Sequence, residues 1–124
     1  APMQIQNDSQ ATPHSILAID ERSITIGEKT YTDSLIVSAN TLIPCWPVST
    51  IAKLKKSDLD PILALKPKVI ILGAGSTHEM IPPELQHYLL EKGIGIECMT
   101  TAAACRTINI LFNEGRDAVA GLMI

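Results

Sequence analysis

From Val69 to Ala74 the chain reads Val-Ile-Ile-Leu-Gly-Ala, and from Ala118 to Ile124 it reads Ala-Val-Ala-Gly-Leu-Met-Ile. Neither run contains a charged residue, and both are far shorter than the ~20 apolar residues a membrane-spanning helix needs. A short continuous apolar run is the mark of a strand buried on both faces, and such a strand needs helices on either side of its sheet. The intervening residues supply them. Pro82 and Pro83 stand where a helix start tolerates proline, and Leu85, Tyr88 and Leu89 give the following helix one apolar face. Gly93 stops that helix, and Ile-Gly-Ile-Glu-Cys (residues 94–98) reads as the next strand. Thr101 can cap a second helix whose Ala104, Ile108, Leu111 and Phe112 fall at i, i+4, i+7 and i+8, with Gly115 closing it. The second half is therefore β-α-β-α-β, and the fold class is α/β.

The first half is built differently. Ser-Ile-Leu-Ala-Ile-Asp and Ser-Ile-Thr-Ile-Gly-Glu flank the polar turn Asp20-Glu21-Arg22 and read as a β-hairpin. Residues 33–38, Asp-Ser-Leu-Ile-Val-Ser, read as a further strand, and Pro44 and Pro47 around Trp46 exclude a central strand after it. Ser57-Asp58-Leu59-Asp60 has the form of a helix start, with Ser57 as cap and the helix running to about Leu65. Residues 1–14 read as a flexible lead without the basic and apolar regions of a secretory signal, and residues 15–124 as one domain. A chain of 124 residues suits a single core. With 46% hydrophobic residues and only four aromatics (Trp46, Phe112, Tyr31 and Tyr88), that core must be aliphatic.

Composition narrows the function. A net charge of −3 offers no field for a phosphate backbone, so nucleic acid is not the expected partner. Three cysteines (Cys45, Cys98 and Cys105) without a C-x-x-C pair fit a reducing compartment rather than a disulfide scaffold, so the chain is expected in the cytoplasm. The six residues between Cys98 and Cys105 match no usual zinc spacing, so no metal site is expected.

The loop after the first apolar run, Gly73-Ala74-Gly75-Ser76-Thr77-His78, is a glycine turn of the kind that brings backbone close to a phosphate. It lacks the third glycine of a dinucleotide fingerprint and the G-K-[ST] of a P-loop, and prolines delay the next helix. As a nucleotide signature it fails, and a close turn is the simpler reading. If the two strands are parallel, however, this loop and Thr100-Thr101 share one sheet edge, at the carboxyl ends of strands where α/β sheets hold ligands. Gly73, Gly75, Ser76, Thr77, Thr100 and Thr101 are therefore candidate binding residues. Arg106, Asn109 and Asn113, at i, i+3 and i+7, form a polar stripe on the last helix, from which Arg106 could fork onto an anion and Asn109 assist. The other reading of the stripe is a solvated helix face. Ala102, Ala103 and Ala104 would let another backbone or a ligand pack close. Glu97 in its strand either pairs with a cation such as Arg106 or Arg116 or points to an edge. Cys105 near the helix start is either a thiol activated by the helix dipole, with His78 as partner, or an inert core residue. No catalytic acid–base pair stands out.

The segment Ile-Gly-Ile-Glu-Cys-Met-Thr-Thr-Ala-Ala-Ala-Cys-Arg-Thr-Ile-Asn-Ile-Leu-Phe-Asn-Glu-Gly-Arg resembles the family of the mitochondrial complex I assembly factor 3 proteins and the adipogenesis-associated domain proteins. The matching residues are Glu97, Thr100, Ala103, Ala104, Cys105, Arg106, Thr107, Asn109, Leu111, Glu114 and Arg116, with Gly73 and Gly75 upstream. Relatives commonly place the threonine of the pattern where Thr101 stands here, so either Thr100 or Thr101 is the helix cap. The resemblance implies a small three-layer α/β domain with a mixed central sheet and an N-terminal β layer. It also implies a non-enzymatic assembly or scaffold factor for the respiratory NADH:quinone oxidoreductase, with protein partners, no cofactor and a possible homo-oligomer. The start of the sequence, without a transit peptide, suggests a bacterial member, or a processed eukaryotic one in the mitochondrial matrix. The alternative from the residues alone is a small-molecule or anion-binding protein using the edge formed by Gly73–Thr77 and Thr100–Arg106.

Overall fold

The apolar runs become neighbouring strands at the centre of a mixed sheet. The computed structural model describes residues 3–4, 15–20, 22–76 and 80–124. Strands β1 (Met3–Gln4), β2 (Ile16–Asp20), β3 (Ser23–Ile26) and β4 (Lys29–Tyr31) form one antiparallel sheet in sequence order. Strands β5 (Leu35–Ser38), β6 (Leu42–Ile43), β7 (Val69–Ala74), β8 (Gly95–Met99) and β9 (Ala118–Met123) form the second sheet in the order β6-β5-β9-β7-β8. β7 is parallel to β8 and to β9, whereas β5 is antiparallel to β6 and to β9, so the central sheet is mixed, as expected. Helices α1 (Asp60–Leu63), α2 (Pro83–Glu91) and α3 (Thr101–Asn113) cover it. Among the described residues no helix is long and apolar enough to cross a membrane.

Alternation along the central strands divides the core in two. Leu35, Val37, Ile71, Ala118, Ala120 and Leu122 pack with the inner face of α3 and with Ile16, Ile19, Ile24 and Ile26 of the hairpin layer. Ile36, Ile70, Leu72, Val119 and Met123 point the other way, onto α2, α1 and the Trp46 segment. Both faces of β7 and β9 are thus dry, which is why those strands carry no polar alternation.

Three expectations shift. The hairpin continues through a turn at Gly27 (φ +62°) into β4, an exposed strand whose polar Lys-Thr-Tyr sequence gave no strand signal. The Ser57 helix is shorter than its sequence suggests, and Ser57 is not its cap. Residues Lys56–Leu59 form a 3-10 turn in which the Lys55 N–H donates to Asp58 Oδ2 at 2.9 Å, and only Asp60–Leu63 is α-helical. Lys66, at φ 55° and directly before Pro67, ends it, because αR is disfavoured before proline. The lead expected over residues 1–14 lies outside the described residues apart from Met3–Gln4, which pair with β2.

Trp46 shows how the second face closes. Its N–H donates to Ser34 O at 2.8 Å, its indole Nε1 donates to Asp58 O at 3.0 Å, and the ring is buried against β9. That approach requires Gly121: a Cβ there would stand 2.7 and 2.8 Å from two ring carbons of Trp46 and 3.1 Å from Leu72 Cδ2. The ring is held at both ends and cannot step aside cheaply. Gly121→Ala is therefore expected to lower stability by about 1–3 kcal/mol in urea unfolding, despite alanine's lower backbone entropy cost. An unchanged midpoint would show that the indole repacks freely.

Candidate functional site

The Gly-x-Gly that closes β7 is a packing device, and its two glycines serve different ends. Gly75 has φ +76°, a region that favours glycine, and turns the chain out of the sheet. Gly73 lies under the first turn of α3, where a Cβ would come within 2.8 Å of Thr101 Cα and 3.1 Å of Ala104 Cβ. This close approach accounts for one of the three alanines. Ala104 is fully buried against the β7 backbone, and Ala102, half-buried, faces a cavity at the sheet edge.

Thr100 is the helix cap: its backbone is extended and its Oγ1 accepts from the Ala103 N–H at 3.2 Å. Thr101 is the first helical residue, buried and bonded on both sides. Its N–H donates to Gly75 O at 2.8 Å, and its Oγ1 accepts from the Gly75 N–H at 2.8 Å and donates to Met123 O at 2.7 Å. One side chain thus joins the end of β7, the start of α3 and the end of β9. The Ala104 N–H donates to Thr100 O at 2.9 Å, so the amides of Thr101, Ala103 and Ala104 are all engaged within the chain.

A cavity of about 410 Å³ opens at this edge, and Gly75, Ser76, Thr100 and Thr101 all line it. The structure therefore brings these four candidates together. Thr77 and His78 lie outside the described residues. The far wall comes from the hairpin layer, with Ile19, Asp20 and Ile24. Local sequence reading missed these residues because β2 and β3 reach the edge only through tertiary packing.

The remaining candidates are placed elsewhere. Gly73 is sealed beneath α3, as described above. Arg106 stands exposed on α3, outside the cavity lining. Asn109 corrects the reading of a polar stripe: it is buried, accepting from Ile16 N–H through Oδ1 and donating to Ile16 O through Nδ2, both at 2.8 Å. A carboxamide is the side chain that can satisfy a strand N–H and C=O at once. Glu97 points to the edge rather than into the core. It is exposed on β8, the outermost strand, on the same side of the sheet as its register partner Ile71 and therefore on the α3 side. Glu114 and Arg116 approach to 3.6 Å as an exposed pair, the kind that contributes little to stability.

Cys105 settles as a core residue. It is fully buried among apolar side chains, which raises its thiol to about 12 against the opposing pull of Arg106. An activated thiolate near neutral pH is incompatible with that value. Cys98 is half-buried and Cys45 exposed. Among the described residues no group of three or more His, Cys, Asp or Glu is placed to hold a metal ion.

Two outcomes follow. Thr101→Val keeps the shape but strands Gly75 N–H and Met123 O, and is expected to cost about 1–3 kcal/mol per buried group left unpaired. Thr101→Ser, which keeps the hydroxyl, should recover most of that loss in the same unfolding experiment. For Cys105, an unfolded thiol ionises near 9.0 while the folded one holds its proton to about 12. Stability should therefore fall as pH rises through that window, and Cys105→Ala should flatten the slope; an identical slope would assign the alkaline loss to other groups.

The family model described as "Protein of unknown function (DUF498/DUF598)" matches residues 16–123. Over 95 residues the chain is 35% identical to the "13 kDa major membrane protein" of Francisella tularensis subsp. holarctica, covering 76% of each. It is 29% identical over 80 residues to the Xenopus tropicalis protein named NADH dehydrogenase (ubiquinone) 1 alpha subcomplex assembly factor 3. That match covers 63% of this chain and 44% of the assembly factor, so the chain spans less than half the length of this relative. A solved structure from Xanthomonas campestris superposes with a TM-score of 0.83 at 32% identity, covering 98% of this chain and 92% of the other. With nearly its whole described length matched, the chain belongs to the DUF498/DUF598 family, among whose relatives are the complex I assembly factor 3 proteins, and it fits a bacterial member.

Proposed function

We propose that this protein is a non-enzymatic assembly or scaffold factor that holds a protein partner, with subunits of a respiratory NADH dehydrogenase as the class of target. The relationship to the assembly factor 3 proteins supports the target class. One structural observation carries the mode of action. The helix bearing the family pattern turns an apolar residue outward, with Ile110 57% exposed beside exposed Arg106 and half-buried Ala103 and Thr107. Met99 of β8 accepts a hydrogen bond from Thr107 Oγ1 at 3.4 Å, and Glu97 precedes it on the same side of the strand. Glu97, Met99, Arg106, Thr107 and Ile110 form one flank in which an apolar centre is bordered by both signs of charge. That composition suits a protein surface that must bind and release, because the apolar centre supplies affinity and the charges select the partner. The buried, unreactive Cys105 beneath this flank is consistent with a role in binding rather than thiol chemistry.

A second reading, small-molecule binding at the sheet edge, is favoured by the cavity that Gly75, Ser76, Thr100 and Thr101 line. It requires no alternative to the partner face, since Arg106 and Ile110 lie outside that lining.

The test is affinity capture from the host's lysate with the intact chain as bait, beside an Arg106→Ala/Ile110→Ser double variant. Both positions are exposed, so each substitution is expected to alter stability by no more than about 0.5 kcal/mol. Recovery of NADH dehydrogenase subunits by the wild type, and their loss with the equally stable variant, is the expected result. Equal recovery by both would remove the α3 flank from the proposal, and a wild-type capture without any such subunit would remove the target class.

A further inference from the structure

Building on the small-molecule reading of the sheet edge, and resting on it, we infer that the cavity there takes an aliphatic chain. The cavity is the unfilled end of one layer of the core. Ile19 and Ile24 on its far wall are buried members of the cluster between α3 and the hairpin layer, and half-buried Ala102 and Ile124 pack against that same cluster. All four line the opening, so its walls continue the apolar interior and are not a dimple in a polar surface. The volume of about 410 Å³ falls in the ~300–1,000 Å³ range typical of small-molecule sites.

Two contacts keep the gap from closing. Asn109 bonds both backbone groups of Ile16 at 2.8 Å, which fixes the spacing between α3 and the hairpin layer. Thr101 bonds Gly75 and Met123, which fixes the start of α3 on the central sheet. Between these two ties Ala102 supplies only a methyl group. A void lined by apolar side chains forfeits dispersion contacts, and an aliphatic ligand restores them. The polar groups at the mouth ask nothing of the ligand's body. Thr101 Oγ1 is bonded on both sides, Thr100 Oγ1 accepts from the Ala103 N–H, and Asp20 is already engaged. The Asp20 carboxylate and the amide end of α3 at Ala102 carry opposite signs, so together they select neither a cationic nor an anionic head. Chain length is what this site reads.

The probes are the uncharged n-alkanols from butanol to octanol. Each is titrated below its solubility limit into the intact chain and read by amide shifts in NMR and by isothermal calorimetry. The amides of Ile24, Gly75 and Ala102 should shift. Each added methylene should tighten binding about fourfold, which is the ~0.8 kcal/mol of one buried CH₂. Ala102→Leu fills the cavity from a good helix position and should weaken hexanol at least about tenfold at an unchanged melting temperature. Ala102→Met fills the same space with a more adaptable side chain, and it decides the matter if the leucine lowers the melting temperature. Affinity that does not grow with chain length, or binding that the stably folded filler leaves intact, would overturn the inference. Alkanols that shift none of these amides would overturn it as well. If glucose or inorganic phosphate then shifts the same amides, the small-molecule reading stands and the aliphatic chain alone falls.

Discussion

The hydroxyl of Thr101 is the contact on which the architecture of this domain turns. The ends of the two neighbouring parallel strands β7 and β9 and the start of α3, the helix that crosses from β8 to β9, must meet at one edge of the sheet, and each arrives with backbone groups that its own ladder does not satisfy. Here one oxygen accepts from Gly75 at the end of β7 and donates to Met123 at the end of β9, while remaining part of α3. The arrangement works only because Gly73 lets the helix descend onto the strand. With a methyl group there, Thr101 Cα would be displaced and both bonds lengthened together. Hydrogen bonds inside a dry junction of this kind are costly to leave half-made, which makes the junction specific as well as stable.

A second buried polar contact performs the same service for the hairpin layer. Asn109 reaches from the middle of α3 to both backbone groups of Ile16, a residue 93 positions away in the chain. Around it the contact is apolar: Ile108 and Phe112 from the helix, and Ile19, Ile24 and Ile26 from the strands. A slip of one position would turn the whole strand over and expose its apolar face, so packing already opposes it. A carboxamide that matches one N–H and one C=O fixes the register. The cavity owes its shape to this docking, because its far wall belongs to β2 and β3.

What sequence could show divides along the same lines. The β-α-β-α-β half was legible because its strands are dry on both faces and its helices are amphipathic, so periodicity and composition report burial directly. The hairpin was legible for the complementary reason, since Ile24 and Ile26 alternate with Ser23 and Thr25, and those alternating residues are the buried and half-buried ones. β4 was not, because a polar edge strand has no apolar residues to declare it. The edge that collects Gly75, Ser76, Thr100 and Thr101 could be anticipated from strand direction alone. Asn109 could not: at helical spacing from Arg106 and Asn113 it belongs to the same stripe, and only the docking of a strand 93 residues away turns one member of that stripe into a core residue. Glu97 left two readings open, an ion pair or an edge position, and only the strand order, with β8 at an end of the sheet, decides for the edge. Periodicity reports how much of an element is covered, and tertiary partners decide by what.

The same logic identifies where α3 is free to carry function. Thr101, Ala104, Cys105, Ile108, Asn109 and Phe112 are buried, and each is held by steric or hydrogen-bonding demands that the fold itself explains. The family resemblance rests partly on these residues, and for them a structural account is sufficient. It does not extend to Arg106, which is exposed, or to Ile110, which gives up 57% of its surface to water on a helix with an apolar face available elsewhere. Nor does it extend to Ala102, whose small side chain leaves space at the cavity where a larger residue would fit the helix as well. A scaffold tied this firmly at Thr101 and Asn109 can present both surfaces without rearranging, so changes at Arg106, Ile110 and Ala102 report on recognition while changes at Thr101 and Asn109 report on folding.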